Sequence, residues 1–471
     1  MRAIVFLTVF VAFVAGLPAS AETIALTHVT IVDVEDGTQR TDQTLLIRNG
    51  RIVKADSAGA VKTPADARMV DGSGKYVIPG LWDMHVHSHR AGRWKYHYPL
   101  FRAYGVTGVR DAGSHLGSAL VAMERVKKDP LAPRVVWGSP IIDGAPQFNS
   151  FGLSAEDEAS GRVLVRVLTG FGFDFIKVYD RLTPEAYFGI ADEARKLGVP
   201  LEGHVPLSLA PNDVINAGQR LIDHLTLVVE ACTPGALDVT HAEFAKAPAE
   251  SDSLAILTDE RIAAALPDYD AEGCKAMFGA FAGYGVWQVP TLVEMRGYFY
   301  ADDPAVTNDP RISMIAPSVL AEWREWGETS DPRELANGKK MFAAQKAAMR
   351  AMQDAGVGIL TGTDASNEPW VFAGGAVHDE MQIMVEAGLT PLEALQAATI
   401  NPLRYLGRKR DAPVISKGEP ADLVLLDADP LADISNTLRI RGVFTRGDYY
   451  GRDALDALIG DAKRAAAQDG R

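Results

Sequence analysis

His85 and His87 have the residue type and the spacing that can bind a metal ion. They end the stretch Leu81-Trp82-Asp83-Met84-His85-Val86-His87, which directly follows the turn residues Pro79 and Gly80. In a β-strand, side chains at positions i and i+2 point to the same face, so both imidazoles can contact one ion. Such a pair also occurs on polar strand faces that bind no metal, so the interpretation depends on the rest of the chain.

Four later segments each have the composition of a short buried strand with one ligand-type residue near its C-terminal end. In a β/α barrel these strand ends converge above the barrel axis, so side chains far apart in the sequence can meet at one point. The segments are Phe173–Tyr179 with Lys177, Val199–His204 with His204, Arg220–His224 with His224, and Val357–Asp364 with Asp364.

The order His-x-His, Lys, His, His, Asp resembles the amidohydrolase superfamily, in particular its binuclear branch with a carboxylated lysine. Within that branch the chain is similar to prolidase-like and imidazolonepropionase-like amidohydrolases. The resemblance runs from about Ile31 to about Tyr449 and includes three further stretches that look like family signatures: residues 80–85, 390–402 and 418–426.

The resemblance implies an α/β fold, a (β/α)8 TIM-type barrel with a small discontinuous β-sandwich domain built from both termini. It also implies two divalent metal ions, with His85, His87 and Asp364 at the more buried ion and His204 and His224 at the outer one. Lys177 would carry a CO2-derived carbamate that bridges both ions, because an unmodified ammonium would be repelled there. A buried salt-bridged lysine is the alternative. Zinc is the expected ion.

The chemistry that follows from this resemblance is hydrolysis of a C–N amide bond, with Asp364 as the catalytic residue that moves a proton from the attacking water to the leaving nitrogen. The expected substrate is a small amide, an N-acyl compound or a dipeptide-like molecule. Prolidase-like members often have Gly-Gly-His after strand three and a tyrosine soon after the strand-five histidine. This chain has Gly144-Ala145-Pro146 and His204-Val205-Pro206-Leu207 there, which departs from a simple dipeptidase.

Two alternatives remain open. One is a mononuclear deaminase or cyclic amidohydrolase, similar to the imidazolonepropionases. The mononuclear deaminases usually carry a glutamate three residues after the strand-five histidine, where this chain has Leu207, and this favours two metals. The other alternative is a catalytically inactive binding protein on the same fold.

Three further residues are candidates for substrate binding. Tyr179 lies two positions after Lys177 on the same strand face, although core packing is an equal interpretation. Arg110 at the end of strand two could bind a carboxylate or close an internal ion pair. His378, which follows strand eight, could contact the substrate or support the ligands.

The alternation of apolar runs with amphipathic helical stretches supports the barrel. Thr183-Pro184 predicts a helix start and Gly198 its end, and Thr390-Pro391 with Glu393 predicts a capping box. The remaining barrel strands are predicted at Leu81–His87, Val106–Asp111, Arg134–Gly138 and Val286–Leu292. The predicted division is a signal peptide at residues 1–21, a small β-domain at 22–78 plus 407–452, the barrel at 79–406, and a tail helix at 453–471 that frays. Long connections at about 229–272 and 296–338 are candidate substrate walls.

Composition and the first residues indicate an exported globular protein. The chain has 471 residues, 47% hydrophobic and 23% charged, with a formal net charge of −14. Met1-Arg2, an apolar run and Ala19-Ser20-Ala21 predict a cleaved signal peptide, and secretion or periplasmic location. The negative charge argues against nucleic acid as a partner. The expected partner is a small-molecule substrate, without a stable membrane anchor, and a homo-oligomer is left open.

Cys232 and Cys274 are the only two cysteines in the chain. They are too few for a disulfide framework or a thiolate zinc site. An oxidising compartment permits one bridge between them, but nothing in the sequence fixes their distance. Two free buried thiols are therefore the favoured interpretation.

Overall fold

The structure is a computed structural model that describes residues 22–148, 151–246, 253–270, 272–365, 368–407 and 414–469. The predicted signal peptide, residues 1–21, lies outside the described residues. Within the part of the chain that the structure describes, no helix has the length and apolar character needed to cross a membrane.

The N-terminal strands begin a mixed sheet. A β-hairpin of β2 and β3 turns at Asn49 and Gly50, which both have positive φ, as an Asn-Gly turn requires. Strand β1 pairs antiparallel with β2 and parallel with β4 and β5. The five strands are β1 Ile24–Val32, β2 Gln39–Arg48, β3 Arg51–Ser57, β4 Arg68–Asp71 and β5 Tyr76–Pro79.

The central strands are short, and they pair in parallel with one another. They form two sheets, one in the order β6-β7-β8 and one in the order β10-β9-β11-β12-β13-β14-β15. The strands are β6 Leu81–Val86, β7 Val106–Asp111, β8 Arg134–Trp137, β9 Ile142–Asp143, β10 Leu153–Ser154, β11 Ile176–Val178, β12 Leu201–Gly203, β13 Leu221–Asp223, β14 Trp287–Val289 and β15 Gly358–Ile359.

Isolated bridges connect the two parallel sheets at two places, one beside the edge strand β15 and one beside β11. Val86 bridges Ala365, and Gly138 bridges Phe175. Near these bridges the backbone N–H of His87 donates to the carbonyl of Ala365 at 3.1 Å, and that of Ser139 donates to the carbonyl of Phe175 at 3.0 Å. The fold is an α/β fold of parallel strands, and each of the eight strands predicted for the barrel has a counterpart in it. The two-residue strands β9 and β10 were not predicted.

Most of these strands are shorter than the sequence predicted. The segment around His224 shows the reason, since the ladder ends at Asp223 and His224 itself has φ of 59°. Asp364 likewise lies beyond β15 with φ of 57°. The ladders have ended before both positions, so these two ligand-type residues lie in the turns just after the strands.

The C-terminal strands complete the first sheet. Strand β16 pairs antiparallel with β5 and with β17, and β17 pairs with β18. The eight strands of this sheet thus come from both ends of the chain, as the sequence predicted. The three strands are β16 Leu423–Leu426, β17 Ile440–Thr445 and β18 Asp448–Gly451.

The helices surround the parallel sheets and fill the long connections between strands. The predicted caps are confirmed, because Thr183 accepts from the N–H of Ala186 and Thr390 forms a capping box with Glu393. The helices are α1 Trp94–Ala103, α2 Leu116–Val126, α3 Glu158–Gly170, α4 Pro184–Leu197, α5 Pro211–Ala217, α6 Val228–Ala231, α7 Ala236–Lys246, α8 Ser253–Leu257, α9 Glu260–Ala265, α10 Lys275–Tyr284, α11 Leu292–Phe299, α12 Pro304–Thr307, α13 Pro317–Thr329, α14 Pro332–Asp354, α15 Ala376–Glu386, α16 Pro391–Ala398, α17 Ile400–Tyr405 and α18 Arg452–Ala466.

Two sequence expectations about this outer layer are wrong. Cys232 and Cys274 form a disulfide with a Cα–Cα distance of 5.6 Å, not two free thiols. Helix α18 does not fray along its length, because it packs on α1 and buries Leu455 and Ala462. Both errors have one cause, since the sequence carries no information on how closely these segments approach in space.

Candidate metal centre

A pocket of about 290 Å³ lies at the C-terminal ends of the parallel strands. Its polar floor is built from residues at the ends of strands β6, β11, β12, β13 and β15, and its walls are mainly apolar and aromatic. All six predicted metal ligands line this one pocket: His85, His87, Lys177, His204, His224 and Asp364.

Asp364 lies at the centre of the histidines. Its Oδ1 is 3.3 Å from Nε2 of His87 and 3.8 Å from Nε2 of His85. Its Oδ2 is 3.8 Å from Nε2 of His224. His204 completes the set, with its ring centroid 4.7 Å from that of His224. One carboxylate and four imidazoles therefore converge in one pocket.

Each of the four imidazoles is oriented through its Nδ1 atom. Nδ1 of His87 lies 2.6 Å from the carbonyl oxygen of Gly113. Nδ1 of His204 lies 2.7 Å from Oδ1 of Asp180. Such contacts fix the ring and leave Nε2 for a metal, which is the usual arrangement around ligating histidines. Nδ1 of His224 lies 2.7 Å from Oγ1 of Thr291. Nδ1 of His85 has an ion-pair contact with Oδ1 of Asp223 at 3.0 Å, without the geometry of a hydrogen bond.

Buried atoms without hydrogen-bond partners test whether a metal fits here. Nε2 of His85, Nε2 of His204 and Oδ1 of Asp364 are buried and make no hydrogen bond. Leaving such atoms unpaired is costly, and a cation would satisfy all three. Among the described residues, His85, His87 and Asp364 also form a group whose ligand atoms lie within 4.8 Å of one another. The donor set therefore fits metal binding.

The electrostatics of the site favour neutral imidazoles and an added positive charge. Burial lowers the pKa of His87 to about 3, and burial also lowers the pKa of His85, His204 and His224. Burial, together with Glu294 and Glu368, raises the pKa of Asp364 well above its ordinary value. Neutral imidazole is the form that ligates metals, and a bound cation would relieve the repulsion among the carboxylates.

Lys177 forms a buried ion pair beneath the histidines. Its Nζ lies 2.5 Å from Oδ2 of Asp223, and both side chains are almost fully buried. Burial lowers the pKa of Lys177 despite this partner. The sequence did not predict Asp223, the residue just before His224, which also anchors His85.

Arg110 supports this ion pair and does not line the pocket. Its Nε donates to Oε2 of Glu202 at 2.7 Å, and its Nη1 donates to Oδ1 of Asp223 at 3.2 Å. The side chain is fully buried. The predicted role of Arg110 in substrate binding is therefore wrong, and its alternative as an internal ion pair is confirmed. Glu202 could have been found from its spacing, since it lies two residues before His204.

Replacing Arg110 with methionine should destabilise the protein by about 3–5 kcal/mol, because Glu202 and Asp223 would lose their buried cation. The change is measured by denaturant unfolding. The exposed Arg333, which pairs with Asp331, offers the control Arg333→Met, which should leave the unfolding midpoint unchanged. Equal effects of the two substitutions would contradict a structural role for the Arg110 network.

The structure separates the other two candidate substrate residues. Tyr179 lines the pocket, where its ring packs on His204 with centroids 4.0 Å apart. His378 does not line the pocket, because its ring nitrogens lie 2.9 Å from Oγ1 of Thr437 and 2.9 Å from the carbonyl oxygen of Tyr104. The structure therefore places His378 outside the pocket, between Thr437 and the backbone of Tyr104.

Three glutamates that the sequence did not single out also line the pocket: Glu230, Glu294 and Glu368. Oε2 of Glu294 lies 2.9 Å from Nδ1 of His224, and Glu368 accepts a hydrogen bond from the Tyr298 hydroxyl at 2.6 Å. These residues lie in helices and loops after the strands, where no periodic pattern marks a site residue.

Comparison with known proteins agrees with this geometry. The model of the amidohydrolase family matches residues 76–449, and the chain belongs to this family. It is therefore a hydrolase that acts on carbon–nitrogen bonds, and the family resemblance seen in the sequence is confirmed.

Individual relatives differ in how much of the chain they match. An imidazolonepropionase of Symbiobacterium thermophilum is 24% identical over 404 residues, which cover 81% of this chain and 83% of that one. An ochratoxinase of Aspergillus niger is 34% identical over 167 residues, 34% of this chain and 30% of that one. The solved structure of a bottromycin amidohydrolase shares the fold, with a TM-score of 0.73, 22% identity and coverage of 95% and 91%.

Proposed function

We propose that this protein is an exported binuclear metal hydrolase that cleaves the amide bond of a small amide, an N-acyl compound or a dipeptide-like substrate. The observation that carries the proposal is the convergence of four anchored imidazoles, Asp364 and Lys177 on one pocket. Membership of the amidohydrolase family supports it. The apolar and aromatic walls suit an acyl group or an apolar side chain beside the scissile bond.

The ligands divide between two ions in this proposal. His85, His87 and Asp364 would hold the first ion, and His204 and His224 would hold the second. Lys177 would supply an anionic ligand as a carbamate, which forms when its neutral amine adds CO2 and releases one proton. When bound, two divalent ions, zinc by preference for these ligands, supply Lewis acidity that activates water and polarises a carbonyl.

The chain's own residues orient the substrate and move the proton. Asp364 accepts the proton of the attacking water on its carboxylate and passes it to the leaving nitrogen. Tyr179, packed on His204, contacts the substrate.

The proposal extends to the architecture around the site. The bridges at Val86 and Gly138 support closure of the parallel strands into an eight-stranded TIM-type barrel. The apolar cluster that includes Leu26, Ile47 and Phe444 supports a small β-sandwich packed around its own core.

Metal analysis and a substrate screen test the function. Protein purified without chelators should contain about two metal ions per chain and should hydrolyse members of a panel of chromogenic amides, N-acyl amino acids and dipeptides. Removal of the ions should abolish that activity, and readdition should restore it. A metal-loaded protein that hydrolyses no member would contradict the proposed substrate class.

A mononuclear enzyme is the second candidate, and the ion pair of Lys177 with Asp223 favours it. A lysine that keeps its ammonium in this pair cannot bridge two ions. About one ion per chain, with deaminase or cyclic amidase activity, would select this candidate over the first.

Export is part of the same proposal. The proposed partner is a small-molecule substrate and not a nucleic acid, and the exported protein has no membrane anchor. The apolar segment before Glu22 and the disulfide of Cys232 with Cys274 support it, because such bonds persist in oxidising compartments. Exported protein should begin at Glu22, as N-terminal sequencing can measure. Retention of Met1 in exported protein would contradict a cleaved signal peptide.

A further inference from the structure

Glu230 is a buried carboxylate in the pocket wall that the proposed hydrolysis does not use. It lies in α6, lines the pocket and has 2% of its surface exposed. Among the described residues, its carboxylate forms no ion pair and no hydrogen bond with another side chain. Burial raises its pKa to about 7, and a hydrogen bond from its own backbone N–H opposes this only in part.

The other pocket residues in the connection after β13 are mainly apolar, and no charged group among the described residues lowers the pKa of Glu230. Leu227, Leu254, Ile256 and Leu257 lie in this connection and line the pocket. The other two glutamates of the pocket differ, since Glu294 has His224 and Glu368 has Tyr298 as partners. A lone carboxylate in such surroundings costs free energy unless a ligand pairs with it.

The disulfide holds this carboxylate in place. Cys232 follows Glu230 by two residues, and its bond to Cys274 ties the end of α6 to the start of α10. Val228 and Val229 of α6 are also buried. A group held this way keeps its position before a ligand arrives, which reduces the entropy lost on binding.

We propose that Glu230 is a specificity residue that binds a cationic nitrogen of the substrate, an ammonium or a guanidinium, in the wall of the pocket. This rests on the proposed function and narrows its substrate class to small amides that carry a positive charge. The cation comes from a basic side chain or from a terminal amino group. In both cases it forms a charge-assisted hydrogen bond with a carboxylate that has no side-chain partner among the described residues.

Matched probes test the proposal on the metal-loaded full-length enzyme. Ala-Lys against Ala-norleucine tests a basic side chain, and Ala-norleucine against N-acetyl-Ala-norleucine tests the terminal ammonium. The wild-type enzyme should favour Ala-Lys in the first pair or Ala-norleucine in the second by about 10- to 100-fold in kcat/KM, mainly through KM. These are the members that carry the additional positive charge. In Glu230→Gln this ratio should fall to near one, with the rate on the neutral member unchanged within about threefold.

Glu272→Gln is the matched control, because Glu272 is exposed beside Lys275, near the other end of the segment that the Cys232–Cys274 disulfide closes. It should keep the wild-type ratio. Glu230→Gln keeps the size of the side chain and removes a buried charge, so its thermal unfolding should match or exceed that of the wild type. A ratio that survives in Glu230→Gln, or a wild type that discriminates neither pair, would overturn the proposal.

Binding measurements separate this proposal from the proposed function. Calorimetric titration with lysine amide, norleucine amide and N-acetylnorleucine amide needs no turnover. Glu230-dependent preference for a cationic probe, without hydrolysis of any probe in the panel, would support the cation site and contradict the hydrolase proposal. Equal binding of all three probes to the wild type would overturn the cation site even if neutral amides are hydrolysed.

Discussion

Replacement of Lys177 with alanine should remove metal and activity together. In the proposed centre the carbamate on Lys177 is the anionic bridge, and without it two cations would face each other with less neutralisation. We expect loss of at least one ion per chain and a fall in kcat/KM of about 1,000-fold or more, as measured by metal analysis and by assay of an amide that the wild type hydrolyses.

The structure indicates that this variant should still fold, because Asp223 keeps its contacts with Arg110 and His85. Short-chain carboxylates should restore part of the activity, since they can supply the missing carboxyl group. Lys339→Ala, which removes an exposed lysine paired with Asp302, is the control. Two ions and near-normal turnover in Lys177→Ala would show that the binuclear mechanism is wrong.

Asp364→Asn should lower kcat by about 100- to 10,000-fold, which is the usual range for loss of a general acid–base group. Asparagine has nearly the same size and keeps one oxygen that can ligate, but it cannot accept a proton at neutral pH. Metal content should therefore fall less than activity does, and this difference separates the catalytic role from the ligand role.

Asp302→Asn is the control for Asp364→Asn. Asp302 is an exposed carboxylate that pairs with Lys339, and it is far in sequence from every candidate ligand. It should retain wild-type kcat and metal content. If Asp364→Asn kept kcat within about tenfold of the wild type, Asp364 would not be the proton carrier.

The convergence of the six candidate ligands on one pocket could be predicted from the sequence, because each member combines a rare residue type with a repeated position. His204, His224 and Asp364 each end a short apolar segment, and parallel strands bring such ends to one edge. The pairing of the strands could be predicted for the same reason. Their exact ends could not, because the left-handed turns at His224 and Asp364 depend on packing around the site.

The partners of these ligands were beyond sequence reasoning for a different reason. Asp223 and Glu294 resemble many other acidic residues in the chain, and only the three-dimensional structure places them against His85 and His224. The same holds for Cys232 and Cys274, whose approach depends on how a 42-residue segment folds back. The pattern of residue types shows which strands end in a ligand-type residue. The side chains that contact those residues depend on distances between elements, which the pattern does not contain.

The left-handed residues after the strands set a limit on how stable this protein can become. His224, Thr291 and Asp364 have φ of 59°, 47° and 57° at the ends of β13, β14 and β15. Each such residue costs about 1–3 kcal/mol, and selection for heat resistance alone would favour glycine or asparagine there. Glycine at His224 or Asp364 would remove a side chain that lines the pocket. Activity and thermal resistance therefore compete at these positions, and gains in heat resistance must come from other parts of the molecule.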